Sequence, residues 1–229
     1  MKKKFLLLFC FISGFVFSQE YHFDYFIKKK NERLEKERGK WEFEELYNSK
    51  NGLKVFFKIN NNKILAVLND NNNSIRHIFR VSKKDEKYLF FYKHSNRLNT
   101  KDKERFKTLN KENIITAEKI DSLHYRIFVF NNSSLKQINT EALITLVKSD
   151  FDYLEINADY NRSEDMEHEL KKKLPENSKF KISKIQYLNR KGKIYYETNY
   201  EDFLGIDMIL NVPEKIIFKE TDYWSDFEE

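Results

Sequence analysis

Two-residue alternation, broken at short intervals by asparagine clusters, dominates this chain. In LKVFFKI, Leu53, Val55, Phe57 and Ile59 point one way and Lys54, Phe56 and Lys58 the other. In IRHIFRV, Ile75, His77, Phe79 and Val81 oppose Arg76, Ile78 and Arg80, and in SLHYRIFVF, Leu123, Tyr125, Ile127 and Val129 share a side. Short runs of this kind, rich in aromatic and β-branched residues, are strands. YHFDYFIK, KWEFEELY, KILAVLN, KYLFFYK, KFKISKIQYL, KIYYETNY, GIDMIL and EKIIFK extend the series. The chain has 5 glycines and 2 prolines, so asparagine must do the turning. Asn60-Asn61-Asn62, Asn71-Asn72-Asn73 and Asn131-Asn132 suit that role, because asparagine tolerates left-handed backbone and closes turns with its own side chain. NSKNG (48–52) and NRKGK (189–193) read as hairpin loops. Connections this short exclude parallel crossovers. The expectation is a mainly β (α+β) fold, an antiparallel curved sheet with one or two helices packed on it.

The best helix is SEDMEHELKKKL, 163–174. Ser163 caps it, Glu164 and Asp165 suit the first turn, Lys171, Lys172 and Lys173 suit the last, and Pro175 ends it. Met166, Leu170 and Leu174 form a narrow apolar stripe for a sheet to receive. Residues 100–109 are a weaker helix candidate. With the polar stretches around them they mark a joint near 95–113 if the domain has two lobes. Otherwise residues 19–229 read as a single β-rich domain.

MKKKFLLLFCFISGFVFSQE opens the sequence with Lys2, Lys3 and Lys4, then 13 apolar-run residues from Phe5 to Phe17. A spanning helix needs roughly 20 apolar residues. This length, with Val16-Phe17-Ser18 ahead of polar Gln19 and Glu20, has the layout of a signal peptide over 1–18, cut between Ser18 and Gln19. An uncleaved anchor and a lipid on Cys10 rank below it, since Cys10 lies inside the apolar core. Cleavage removes the single cysteine, so disulfides, thiolate metal sites and cysteine nucleophiles drop out. It also takes Lys and Arg from 42 to 39 against 36 acids, and the net charge from +6 to +3. A weakly basic exported protein with no transmembrane span in its mature chain is not a nucleic-acid binder by default.

Recognisable catalytic text is missing. No glycine-rich phosphate loop, HExxH or G-x-S-x-G occurs. DFDYLEINADYN lacks the glycine of a calcium loop and scans as a strand with Asp150, Asp152, Leu154 and Ile156 on one face. His22, His77, His94, His124 and His168 are dispersed. His77, between Ile75 and Phe79, reads as a packed core histidine, and His168 as a solvated one. Asn-x-Ser triplets at Asn72, Asn131, Asn132 and Asn161 are what an asparagine-rich chain holds by chance. Tyr88, Phe90, Phe91, Tyr92, Tyr195, Tyr196 and Tyr200 could line a lipid or sugar cavity, but aromatics more often fill β cores. ETDYWSDFEE is either a frayed tail or a peptide pinned by Trp224. No metal and no cofactor are indicated, and catalytic and ligand-binding residues cannot be named.

Charge is uneven. Residues 19–119 carry 24 basic and 15 acidic side chains, and residues 120–229 carry 15 and 21. The plain reading packs acidic segments against basic ones or leaves both as solvated faces. The sharper one is a positive first half facing an anionic envelope component. The signal end, the Asn/Lys/Phe/Tyr bias and the NSKNG hairpin together resemble the uncharacterised exported proteins of Flavobacterium-type Bacteroidota, a resemblance that carries no activity over. The functional expectation is an exported, non-enzymatic binding module for a hydrophobic or anionic cell-envelope ligand, with lipid, glycan or envelope protein as partner. The periplasm is the expected location, with secretion or outer-membrane association as alternatives. Competing readings are a carboxylate-dependent hydrolase and a structural or interaction protein of the envelope. Oligomeric state is left open.

Overall fold

The computed structural model describes residues 19–34, 39–60, 62–84, 87–98, 111–131, 134–157 and 162–220. The signal segment 1–18, the helix candidate at 100–109 and most of the acidic tail therefore lie outside the described residues, while Gln19 opens the first strand. Alternation does produce a mainly β fold: eleven strands form one antiparallel, unclosed sheet. They are β1 (Gln19–Arg33), β2 (Gly39–Tyr47), β3 (Lys54–Asn60), β4 (Lys63–Asp70), β5 (Ile75–Lys84), β6 (Lys87–Arg97), β7 (Ile114–Lys119), β8 (His124–Phe130), β9 (Ile138–Ser149), β10 (Lys179–Leu188) and β11 (Ile194–Val212). One helix is described, α1 (Arg162–Lys171).

Every strand pairs with its neighbour in sequence except β6 and β7, which lie at opposite ends of the order β6-β5-β4-β3-β2-β1-β11-β10-β9-β8-β7. The meander is thus opened between β6 and β7, within the 95–113 stretch, and joined through β1 and β11. Both asparagine hairpins form. Tyr47 pairs with Lys54 across NSKNG and Leu188 with Ile194 across NRKGK, with Gly52 at φ 72° and Gly192 at φ 70°. Asn62 turns the β3–β4 connection at φ 64°, a region asparagine tolerates better than most side chains.

The β1–β11 ribbon bends at two register shifts, between Phe23 and Tyr25 and between Lys28 and Lys29. Bulges of this sort bend a strand and increase its twist. The bent ribbon serves two apolar cores. Phe23, Phe26, Leu210 and Val212 join Leu46, Val55, Phe57, Leu68 and Phe79 in one. Ile27 and Tyr200 join Tyr125, Ile127, Ile144, Leu146, Ile182 and Ile185 in the other. Met166 and Leu170 pin α1 to this second core and Leu174 flanks it, which is the stripe the sequence predicts.

Three strand expectations need correction. KIYYETNY and GIDMIL are halves of one 19-residue strand, β11. EKIIFK is not a strand. It straps the edge strand β6 through a parallel Ser95–Phe218 bridge, with Ser95 N–H donating to Ile217 O at 2.7 Å. DFDYLEINADYN is an irregular loop over 150–157 with one parallel bridge, Tyr153–Lys181. Tyrosine hydroxyls hold the carbonyls of Asp152, Glu155 and Asn157, while Tyr153 O accepts from Ile182 N–H. Two strands escaped the sequence reading, β7 and β9. In INTEALITLVKS the inward set Ala142, Ile144 and Leu146 alternates only after a polar opening, and Glu-Ala-Leu in its middle favours helix locally.

The helix stripe yields a direct check. Leu170 is completely buried. Leu170→Ala should lower unfolding stability by about 2–5 kcal/mol, read as a lower urea midpoint at unchanged slope. A shift under a tenth of that range would mean α1 is not packed on the sheet.

Candidate functional site

Inward alternation along β1 does not stop at Ile27. It continues through Lys29 and Asn31, only 8% and 2% exposed, so an ammonium is carried between the two cores. On β2 the face that presents Trp41, Phe43 and Tyr47 also presents Glu45, which is 2% exposed. The third member comes from loop 150–157, where Glu155 reaches back over the sheet. Lys29 Nζ donates to Glu45 Oε2 at 2.6 Å and to Glu155 Oε2. Glu155 Oε1 pairs with Lys54 Nζ at 3.3 Å. The Tyr153 hydroxyl lies against Glu45 Oε1 and Glu155 Oε2 together.

The electrostatics follow from this crowding. Burial alone would lower the Lys29 pKa, but Glu155 and Glu45 outweigh it and hold the ammonium charged. Burial alone would raise Glu155, yet Lys29 and Lys54 hold it well below the usual carboxylate range. Glu45 goes up, through burial and the neighbouring Glu155 charge, with Lys29 offsetting only part. Tyr153 and Tyr200 stay protonated far above the ordinary phenol range, again through burial and Glu155. One phenol proton cannot serve two carboxylates. Lys29 Nζ also lies 5.5 Å from the Tyr153 and Tyr200 ring centroids, which adds cation–π attraction in a dry site.

Three tyrosines fix the loop that supplies Glu155. Tyr47 donates to Asp152 O at 3.0 Å, Tyr200 to Glu155 O at 2.8 Å and Tyr187 to Asn157 O at 2.9 Å. From α1, Glu167 Oε1 accepts from Ile156 N–H at 2.9 Å.

Beside the cluster lies a cavity of about 360 Å³ between the sheet and this loop. The paired groups Lys29, Glu45 and Glu155 form one wall. Phe43, Phe56 and Val67 form an apolar floor, and Lys58 and Arg76 the far side. The register accounts for the grouping: Phe56 pairs with Val67, Lys58 with Leu65 and Asn69 with Arg76, which puts these side chains on one face. Arg76 Nε donates to Asn69 Oδ1 at 2.9 Å. Lys58 Nζ sits 5.9 Å from the Phe43 ring centroid, and among the described residues no carboxylate pairs with it. Burial, with Arg76 adding repulsion, lowers its pKa.

The residues singled out from sequence fall elsewhere. His77 is fully buried, as expected: its Nε2 meets the Tyr21 hydroxyl at 3.1 Å and its Nδ1 meets Ser95 Oγ at 2.7 Å. Burial lowers its pKa. His168 is exposed on α1, as the sequence reading has it, and His124 is exposed beside Asp121, while His94 is buried in β6. The aromatic group splits. Tyr88, Phe90 and Tyr92 pack on the first core, Tyr195, Tyr196 and Tyr200 on the second, and Phe91 is 47% exposed. They do not line one cavity. Among the described residues no three His, Cys, Asp or Glu groups are arranged to hold a metal ion, and no helix is long and apolar enough to cross a membrane. Compared with known proteins, the chain matches no family model, and no curated protein matches its sequence.

Two predictions follow from the charges. Lys29→Met leaves two buried carboxylates without their ammonium and should cost about 3–5 kcal/mol. Lys29→Met with Glu45→Met should recover much of that loss, and equal urea midpoints for the single and double variants would contradict the pairing. The second concerns Glu167, whose pKa burial pushes up to about 7 from 4.5. A raised folded-state pKa contributes stability that is full below pH 4.5 and lost as pH rises through 7. Glu167→Gln should therefore match the parent at pH 4.5 and exceed it at pH 8 by on the order of 2 kcal/mol. Comparing urea unfolding at the two pH values tests it, and a pH-independent difference would refute the assignment.

Proposed function

We propose that this chain is an exported, non-catalytic binding module that takes an anionic ligand of the cell envelope into the cavity at Lys58 and Arg76. The observation that carries this reading is Lys58. Lys29 and Lys54, its neighbours on the same sheet, are neutralised by Glu45 and Glu155. Lys58, half-buried over Phe43, faces among the described residues the like charge of Arg76, which lowers its pKa further, and no carboxylate. A half-buried ammonium held near a guanidinium gains more from an incoming anion than an exposed lysine does, because the surroundings screen it less. Phe43, Phe56 and Val67 supply an apolar contact beside the charges, the usual composition of a small-ligand site. Export to the periplasm is supported by the signal layout of 1–18, and the envelope then supplies the ligand.

A carboxylate-dependent hydrolase has one point in its favour, the opposed shifts of Glu45 and Glu155. Against it stands their engagement. Glu45 is 2% exposed with both oxygens bonded to Lys29 and Tyr153, and Glu155 is bonded to Lys29, Lys54 and Tyr153. A general acid must present its proton to a substrate, and here Tyr153 lies where that proton would point.

Native mass spectrometry of the protein isolated from its own periplasm tests the reading. A retained anion is expected, with Lys58→Met and Arg76→Gln each cutting its affinity about tenfold or more, which is 1.4 kcal/mol. Thermal midpoints should stay near the parent value. Ligand-free protein that also binds no added anion would overturn the proposal.

A further inference from the structure

A second cavity, of about 610 Å³, meets the first at Phe56 and Asn69, which line both. Its chemistry differs. Where the first holds Lys58 and Arg76, the second is walled mostly by amides, Gln19, Asn51, Asn69, Asn71, Asn72 and Asn73, with Glu20 and the Glu155-paired Lys54 also on its lining. Asp70 lies at its base, accepting from the Tyr21 hydroxyl at 2.7 Å, Gln19 Nε2 at 3.2 Å and Asn73 Nδ2 at 2.7 Å. Burial would raise Asp70, but these donors, with the backbone N–H groups of Asn72 and Asn73, hold it below the usual carboxylate range as a fully engaged anion. Asn71 and Asn72 are exposed at the rim.

We propose that the two cavities form one extended site for an acidic oligosaccharide, with the carboxylate of a uronic acid unit at Lys58 and Arg76 and neutral sugar units along the amide-walled arm. This rests on the anion-binding reading above and names its ligand class. Two anionic envelope ligands compete for such a site, an acyl lipid and a glycan, and the arm separates them. An acyl chain leaving the cationic cavity would pass over amides and Asp70, stripping their water without replacing its hydrogen bonds. Sugar hydroxyls donate and accept, and an amide offers one donor group and one acceptor. Phe56, at the junction, gives an apolar surface where a sugar ring shows its C–H face. Both cavities lie within the size range of small-ligand sites.

Calorimetric titration of the mature protein distinguishes the alternatives with four probes: glucuronate, aldotetraouronic acid (a glucuronate carried on three neutral xyloses), xylotetraose and laurate. Aldotetraouronic acid should bind at least tenfold more tightly than glucuronate, and xylotetraose and laurate weakly or not at all. Asn71→Ala with Asn72→Ala, both at exposed turn positions, should remove the gain from chain length and leave glucuronate binding unchanged. Lys58→Met should weaken both acidic sugars together. Glucuronate or laurate binding with no gain from the added xyloses overturns the oligosaccharide assignment and leaves the anion site standing. Absence of binding by every anionic probe, laurate included, removes both.

Discussion

Pairing of the first strand with the last governs the molecule. From Gln19 opposite Val212 to Arg33 opposite Tyr196, β1 and β11 run antiparallel along their whole shared length. Without that ribbon the chain would be two separate meanders, β2–β6 and β7–β10, each with a sheet face in need of cover. With it, the two become one sheet, and the bulges after Phe23 and Lys28 turn the ribbon so that alternate stretches feed different cores. Such pairing carries a high loop-closure cost, since its partners stand more than 160 residues apart. It is therefore a non-local feature of the fold. The cavity exists because of this turn: loop 150–157, anchored beside β10, is brought over β1, β2 and β3 only when the halves are joined.

Lys29 marks the turn. A buried ion pair rarely adds net stability over packed apolar residues, because desolvation consumes most of the Coulombic gain. Its value lies in specificity. Lys29 on β1, Glu45 on β2 and Glu155 on the loop satisfy one another only when all three segments are in register. A one-residue slip of β1 would still put a lysine, Lys28 or Lys30, at this point, but it would carry Lys30 or Glu32 into the buried place of Asn31. The hydroxyls of Tyr47, Tyr187 and Tyr200, each on a different strand, repeat that requirement on the loop carbonyls. The loop can thus be irregular in backbone and fixed in position.

Much of this frame was legible in the residues. The hairpins at 48–52 and 189–193, the strands around them and the α1 stripe follow from alternation, turn chemistry and capping. What stayed hidden was the non-local part. Nothing near Gln19 announces Val212 as its partner, and β9 conceals its alternation behind helix-favouring Glu141, Ala142 and Leu143. The cluster was half visible: in KWEFEELY the face of Trp41, Phe43 and Tyr47 includes one acid, and after Ile27 the alternation leads inward to Lys29. An acid and a base at inward positions of neighbouring strands signal a buried pair, once the strands are known to be neighbours. Glu155, over a hundred residues away in a segment that scanned as a strand, carried no such signal.

The charge asymmetry of the sequence acquires a specific meaning here. The acidic stretch after β9 does answer the basic first half, through Glu155 to Lys29 and Lys54. It answers only part of it. Asp152 turns to Lys171 on α1, and Glu167 accepts from the loop backbone rather than from a base of the first half. Among the described residues Lys58, on the same strand as Lys54, meets no carboxylate, while Arg76 on β5 donates to Asn69. Neutralising Lys58 as well would have required one more acid at the loop, and the place such a residue would fill is cavity. A surface lysine left over costs little, since water solvates it. A half-buried one beside a guanidinium costs more, and a fold that keeps it open to a polar, amide-walled recess holds in place the charge that an acidic ligand would meet.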